Sequence, residues 1–310
     1  FKQKTAYEIG VRLVGSEMCI RDRTVTLTSG GLTGVVEKRT VLKYETLTTG
    51  DVESGHFAWY GNHNYYNEFG GAIINNNNEV IMWGETDKGG NNNTGADLTN
   101  VNKIFACQSA FAVLKYDGSV QAWGRADYGG DISYNNPDWE TNLNGSGSPI
   151  KHIYSNHRTF AVLKEDGTVV TWGDKQADYD DVLPPSFNGK VKDIYTNSNA
   201  FAAILTNGSV ITWGHKKYGG DHNYQYSQST ETGCTRAPTG SLDSNVVKIF
   251  GNPVSFVALK ADGSVVTWGK TGWGGDHSYS STNVAMANGD LSHGIIDVKG
   301  TERALSLIHI

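Results

Sequence analysis

Three cysteines in 310 residues are too few for a disulfide framework, and none stands at the spacing of a zinc cluster. Long hydrophobic runs are missing as well. No apolar stretch approaches the roughly 18–20 residues that a membrane-spanning helix needs. Clusters of Lys and Arg are scarce. The chain carries 26 basic against 32 acidic residues, a formal net charge of −6, the wrong sign for neutralising a phosphate backbone. Also absent are a nucleophile elbow and a phosphate-cradling glycine loop followed by Lys. Nucleic-acid and membrane partners, cofactors and metals are therefore not expected. What is abundant is glycine, at 38 residues, and the runs between glycines favour Val, Ile, Thr, Phe and Trp. That is the composition of short strands and tight turns, an all-β chain.

The two ends read differently from the rest. "KQKTAYEI" (Lys2–Ile9), "RLVGSEMCIRD" (Arg12–Asp22) and "LSLIHI" (Leu305–Ile310) read back into codons as sequencing-library adapters. The last is the reverse complement of the bases behind "EMCIRD". Residues 1–23 and 305–310 are accordingly expected to be translated adapter that packs on nothing, with neither end a natural terminus. Cys107 and Cys234 are the cysteines outside these segments.

Internal repeats dominate the remainder. Four copies stand in register: "IFACQSAFAVLKYDGSVQAWGRADYGGD" (104–131), "IYSNHRTFAVLKEDGTVVTWGDKQADYDD" (153–181), "IYTNSNAFAAILTNGSVITWGHKKYGGD" (194–221) and "IFGNPVSFVALKADGSVVTWGKTGWGGD" (249–276). A fifth, "AIINNNNEVIMWGETDKGGN" (72–91), keeps the second half. The Trp-Gly pairs begin at Trp83, Trp123, Trp172, Trp213 and Trp268, with spacings of 40, 49, 41 and 55 residues. "FAVLK" reads as a strand and "SVQAW" as the strand that returns. Between them Asp117-Gly118, Asp166-Gly167, Asn207-Gly208 and Asp262-Gly263 predict a two-residue type I′ turn with positive φ at both central positions. Consecutive apolar residues in "AFAVL" imply sheets covered on both faces. Such sheets stack on their neighbours, as in a propeller or solenoid. "IIDVKG" (Ile295–Gly300) predicts the first strand of a further unit.

The Leu-Lys-x-Asp-Gly-x-Val-x-x-Trp-Gly core in "FAVLKEDGTVVTWG" (Phe160–Gly173) resembles the RCC1-type repeat, including the shorter-bladed version in the RCC1/BLIP-II group. The resemblance covers roughly residues 61–304 and implies an all-β β-propeller, here an incomplete seven-bladed ring. The chain departs from the pattern after Trp-Gly, where "YGGD" or "WGGD" replaces the usual Asn and Gly-Gln-Leu-Gly box. Residues 24–60 are left as an irregular stretch with room for a degenerate first blade. There "VLKY" (Val41–Tyr44) repeats Val113–Tyr116.

Because the Trp recurs in every unit, and Asp-Gly or Asn-Gly in four of the five, they are read as scaffold: Trp83, Trp123, Trp172, Trp213 and Trp268 packing between blades, and Gly118, Gly167, Gly208 and Gly263 in turns. The Gly-Gly-Asp carboxylates of Asp131, Asp221 and Asp276, with Asn91 at the same place, are turn caps that have calcium as the competing reading. Asp221-His222 and Asp276-His277 are read as surface pairs. Function is expected where the copies differ, in loops 132–149, 222–245 and 277–292. These place Tyr134, Trp139, Tyr224, Tyr226 and Tyr279 among small polar residues, the make-up of adaptable binding surfaces. The sequence therefore predicts a monomeric, non-enzymatic protein-binding or scaffold module. The alternatives are a guanine-nucleotide exchange factor-like regulator of a small GTPase, implied by the family resemblance, and a propeller enzyme acting on glycans through paired carboxylates.

Overall fold

A computed structural model describes residues 25–29, 32–36, 67–134, 143, 148–174, 190–223, 234–275, 294–300 and 305–309. The chain divides into two units, Phe1–Tyr44 and Glu45–Ile310. In the first, β1 (Val25–Ser29) and β2 (Leu32–Val36) form an antiparallel hairpin.

The second unit is a succession of small antiparallel sheets, called blades here. Blade 1 holds β3 (Gly70–Ile74) and β4 (Val80–Gly84). Blade 2 holds β5 (Val101–Ala106), β6 (Ala110–Lys115) and β7 (Val120–Gly124). Blade 3 holds β8 (Ile150–Ser155), β9 (Thr159–Lys164) and β10 (Val169–Gly173). Blade 4 holds β11 (Val191–Thr196), β12 (Ala200–Leu205) and β13 (Val210–Gly214). In blade 5 the short β14 (Cys234–Thr235) joins β15 (Val246–Asn252), β16 (Ser255–Lys260) and β17 (Val265–Lys270). Blade 6 holds β18 (Ile295–Gly300) and β19 (Leu305–His309). Among the described residues no strand pairing joins blade 6 to blade 1.

The middle strand of each complete blade explains the sheet stacking. All six residues of β6, β9 and β12 are buried, on both faces of the strand. One apolar cluster fills each seam. Trp172 and Phe160 of blade 3 pack with Phe105, Ala112 and Val120 of blade 2. Trp213 and Phe201 of blade 4 pack with Tyr154, Ala161 and Leu163 of blade 3. In blades 2 to 5 the Trp stacks on its cross-strand Phe. Ring centroids are 5.1 Å apart for Phe111–Trp123, Phe160–Trp172 and Phe201–Trp213, and 5.4 Å apart for Phe256–Trp268. Burying such aromatic pairs is the largest apolar contribution each repeat can make.

Hydrogen bonds pin the seams at three heights. The turns between the first two strands form a ladder: Glu68 N donates to Gln108 O, Gln108 N to His157 O, His157 N to Ser198 O, and Ser198 N to Pro253 O. At the other end, Val101, Val191, Val246 and Ile295 begin the first strands of their blades. Each donates its amide to a carbonyl in the preceding blade's turn, at Asn78, Gly167, Gly208 and Gly263 respectively. In the third contact the indole reaches back a blade: Trp123 Nε1 to Gly89 O, Trp172 Nε1 to Gly129 O, and Trp268 Nε1 to Gly219 O, at 2.9–3.1 Å. Gly129 has φ 89° and lies so close that a Cβ there would sit 2.8 Å from Phe160.

The Asp-Gly turns correct the expected type. Gly118 has φ 83°, whereas Asp117 is not among the positive-φ residues. Gly118 N donates to Lys115 O, and the strands close one residue later through Lys115 N and Ser119 O. This is a three-residue loop ending on a left-handed glycine, not a two-residue I′ turn. Asp117 stays outside the left-handed region because its carboxylate accepts from both the amide and the hydroxyl of Ser119. Asp166 and Asp262 repeat the pattern with Thr168 and Ser264. Asn207 does the same with Ser209, which explains why Asn substitutes freely. In blade 1 the glycine's place goes to Asn78, at φ 60°.

The C-terminal segment also departs from expectation. Leu305–His309 does not stand free but pairs antiparallel with β18. β18 offers the edge where a second strand belongs. "VLKY" and most of 24–60 lie outside the described residues.

Candidate functional site

In blades 1, 2 and 4 the connection to the next blade leaves at the same point. After the Trp-Gly comes a single 3-10 turn, at Thr86–Lys88, Ala126–Tyr128 and Lys216–Tyr218, and then the Gly-Gly. The turn closes on a left-handed glycine: Gly89, Gly129 or Gly219. The aspartate that follows caps the exit. Asp131 accepts from Ser133 N at 2.9 Å and Ser133 Oγ at 2.6 Å, and Asp221 accepts from Asn223 N at 2.9 Å. Asp276 and His277 lie outside the described residues. His222 is turned inward: its Nδ1 lies 3.0 Å from Thr212 Oγ1, and burial lowers its pKa. Among the described residues no three His, Cys, Asp or Glu side chains gather as a metal site would require.

Beneath the loops, apolar residues tie them down. Ile132 and Leu143 are buried in the cluster that holds Trp172. Ala237 and Leu242 are buried in the cluster that holds Trp268, and Cys234 is buried as well. Leu242 O accepts from Val210 N, just as Leu98 O accepts from Val80 N in blade 1. Residues 234–242 therefore do more than link two blades. Cys234 and Thr235 pair with Lys270 and Gly269 and cover the outer edge of β17, a standard protection against unwanted strand pairing. Tyr134, by contrast, points outward and is 42% exposed. Trp139, Tyr224, Tyr226 and Tyr279 lie outside the described residues.

The recurring tryptophans are not on this surface. Trp123, Trp172, Trp213 and Trp268 are at most 2% exposed, whereas Trp83 is 47% exposed. In blade 1 the stacked Phe is replaced by Gly71, which pairs with Trp83 in the register, and Ile81 beside it is exposed too.

One repeat position escaped the sequence reading. Asn67, Asn156, Asn197 and Asn252, with Cys107 in blade 2, sit at the turn between the first two strands, and all are buried. The Asn197 Oδ1 accepts from Asn199 N and Ala200 N, while its Nδ2 donates to Tyr218 O in the 3-10 turn. Asn67 reaches Lys88 O, and Asn252 reaches Trp273 O, in the same way. Cys107 makes the equivalent link through Sγ to Tyr128 O, at 3.1 Å. Its burial pushes the thiol pKa up to about 12. The signal was present in "YSNH", "YTNS" and "FGNP", an Asn at constant offset from the Ile.

No family model matches the sequence, and no curated protein does. Several solved structures are similar to the chain at low identity. They include the CRINKLY WD40 ectodomain of the Arabidopsis thaliana receptor kinase ACR4 (14% identity, TM-score 0.39, covering 66% of each chain). Human WBSCR16 matches at 16% identity and TM-score 0.40, covering 66% of this chain and 60% of its own. Prp20p from Saccharomyces cerevisiae, solved with its binding properties to Gsp1p and histones, matches at 18% identity and TM-score 0.40, covering 66% and 55%. The chain thus spans between half and two thirds of the length of these proteins. The chain is all-β, a series of small antiparallel sheets, and its repeat motif resembles the RCC1 type.

Proposed function

We propose that the chain is a non-enzymatic binding module whose variable loops dock a protein partner. The observation that carries this reading is how the loops are built. Loops 132–149 and 222–245 leave equivalent points of blades 2 and 4 and are anchored from below by Ile132, Leu143 and Leu242, while 277–292 lies outside the described residues. They differ in length and content while the blades stay constant. Loops that follow the same strand in a radial stack gather on one rim, and their aromatics, Tyr134, Trp139, Tyr224, Tyr226 and Tyr279, then form a composite surface. Several loops together approach the roughly 800 Å² per partner of an ordinary interface. The repeat carboxylates Asp117, Asp166 and Asp262 are committed to turn hydrogen bonds, which favours binding over acid–base chemistry. Prp20p is a precedent for a protein of this type that binds Gsp1p and histones.

The test replaces residues 134–142, 224–233 and 276–293 with Gly/Ser linkers, keeping the anchors Ile132, Leu143 and Cys234–Leu242. Partner recovery from extract of the source organism is then compared with that of the intact chain. The reading expects recovery to be lost while the melting temperature is kept. Undiminished recovery would sink it.

A further inference from the structure

Seams 1/2 and 4/5 treat the same place in the fold differently. At blade 5, β14 fills the outer edge by pairing with β17. At blade 2, residues 92–96 run past β7 without pairing as a strand, and hold it with side chains instead. Asn93 Oδ1 accepts from Gly124 N and Asn93 Nδ2 donates to Gly124 O, both at 2.9 Å. Thr94 Oγ1 donates to Ala122 O at 2.9 Å. A cavity of about 610 Å³ opens alongside, lined by Asp87, Asn93, Thr94, Arg125, Asp131 and Ser133. A second, of about 170 Å³, shares Thr94, Asp131 and Ser133 with it. The larger volume is within the usual range of small-molecule sites.

The bonds already made decide what kind of occupant fits. An added peptide strand needs free backbone groups on the outer edge of β7, but Ala122 O and both polar groups of Gly124 are taken. Recognition is left to side chains. The Arg125 guanidinium is held flat by Asp127, at 2.7 and 2.9 Å, and lies 4.4 Å from the Tyr128 ring centroid. Asp131 is oriented by its two bonds from Ser133. Asp87 and Asp131 disfavour an anion, and the polar walls disfavour an apolar ligand. The Thr94 and Ser133 hydroxyl protons are spent on Ala122 O and Asp131. That leaves carboxylate and hydroxyl oxygens as acceptors and the remaining N–H groups of Arg125 and Asn93 as donors, a set that suits ligand hydroxyl groups, which donate and accept at once.

We propose that this cavity binds a neutral polyhydroxylated ligand, a mono- or disaccharide. The proposal does not rest on the protein-docking reading, although Ser133 of the cavity belongs to loop 132–149. Its test titrates the intact chain separately with maltose, cellobiose and N,N′-diacetylchitobiose, following backbone amide resonances. At least one sugar should bind saturably and shift the amides of Asp87, Asn93, Thr94, Arg125, Asp131 and Ser133. Asp87→Ala and Asp131→Asn, the latter keeping the acceptor for Ser133, should each weaken that binding by about tenfold, the loss of a hydrogen bond to a charged group. Both variants should melt as the intact chain does. Three outcomes would overturn the proposal: no sugar binds, the binding ignores both substitutions, or calcium chloride shifts these amides saturably while no sugar does.

Discussion

Trp172 Nε1 donates to Gly129 O across the seam between blades 2 and 3, 2.9 Å away, whereas the equivalent Trp213 Nε1 is buried and has no acceptor among the described residues. The difference follows from the sequence. Blades 1, 2 and 4 carry the Gly-Gly whose first carbonyl receives the next blade's indole. Blade 3 has "DKQADYDD" in its place, and a small cavity beside Trp213 is lined by Thr171, Gly173 and Asp174.

Replacing each indole by Phe separates the hydrogen bond from the packing. Trp172→Phe and Trp213→Phe lose similar apolar area, but only the first breaks a bond and leaves a buried carbonyl bare. Trp172→Phe should be more destabilising by about 1–2 kcal/mol in urea melts. Truncation to Ala at either position should cost about 3–5 kcal/mol, as for other large core residues. Equal losses for the two Phe variants would remove the seam bond from the account.

Gly118 isolates the turn's backbone demand, because a Cβ there meets nothing within 4 Å. With φ at 83°, Gly118→Ala should cost about 1–2 kcal/mol from the left-handed penalty alone. Gly118→Asn should cost less, since Asn78 already occupies the same place in blade 1. Thermal melts of the two variants, ranked against the parent, check the order.

Acid should loosen the hairpins. Bonds from Thr168, first from its hydroxyl and then from its amide, hold the Asp166 carboxyl below the usual carboxylate range. Ser119 and Ser264 do the same for Asp117 and Asp262. A depressed folded-state pKa contributes stability above the unfolded value of about 3.9, and that stability is lost as pH falls through the lower folded value. Asp166→Asn keeps the acceptor at every pH, as Asn207 does. It should flatten the acid limb of the stability–pH curve and change little at neutral pH. An unchanged acid limb would contradict the assignment.

Asn197 should be among the least replaceable polar residues. It is fully buried, and its side chain joins the turn amides to the Tyr218 carbonyl. Asn197→Ala should cost about 2–3 kcal/mol, because it strands buried polar groups. At the matching position in blade 2, Cys107 should resist thiol reagents until the chain unfolds, since burial keeps it protonated. Labelling of native protein at the rate of unfolded protein would show the site to be open.

Much of the blade was readable because its causes are local and repeat. "AFAVL" announced a strand buried on both faces, and Trp-Gly announced the seam. The turn type was misread because Asp-Gly serves two hairpin geometries, and only the bonds to Ser119 distinguish them. The edge cover by Asn93, Thr94 and Cys234–Thr235 was not readable, since it pairs residues of one blade's loop with the next blade's last strand. Trp83 reads like its four counterparts. Its exposure depends on Gly71, which faces it across the sheet, and on the face of blade 1 that no other described blade covers.

The claim that the recurring Trp-Gly unit is scaffold rather than site is tested most directly by tryptophan fluorescence. Replacing Trp59, Trp83, Trp139 and Trp273 with Phe leaves Trp123, Trp172, Trp213 and Trp268 as the reporters. The account predicts blue-shifted emission that acrylamide barely quenches, because these four are at most 2% exposed. Red-shifted, readily quenched emission from a folded variant would place the indoles in solvent and contradict it.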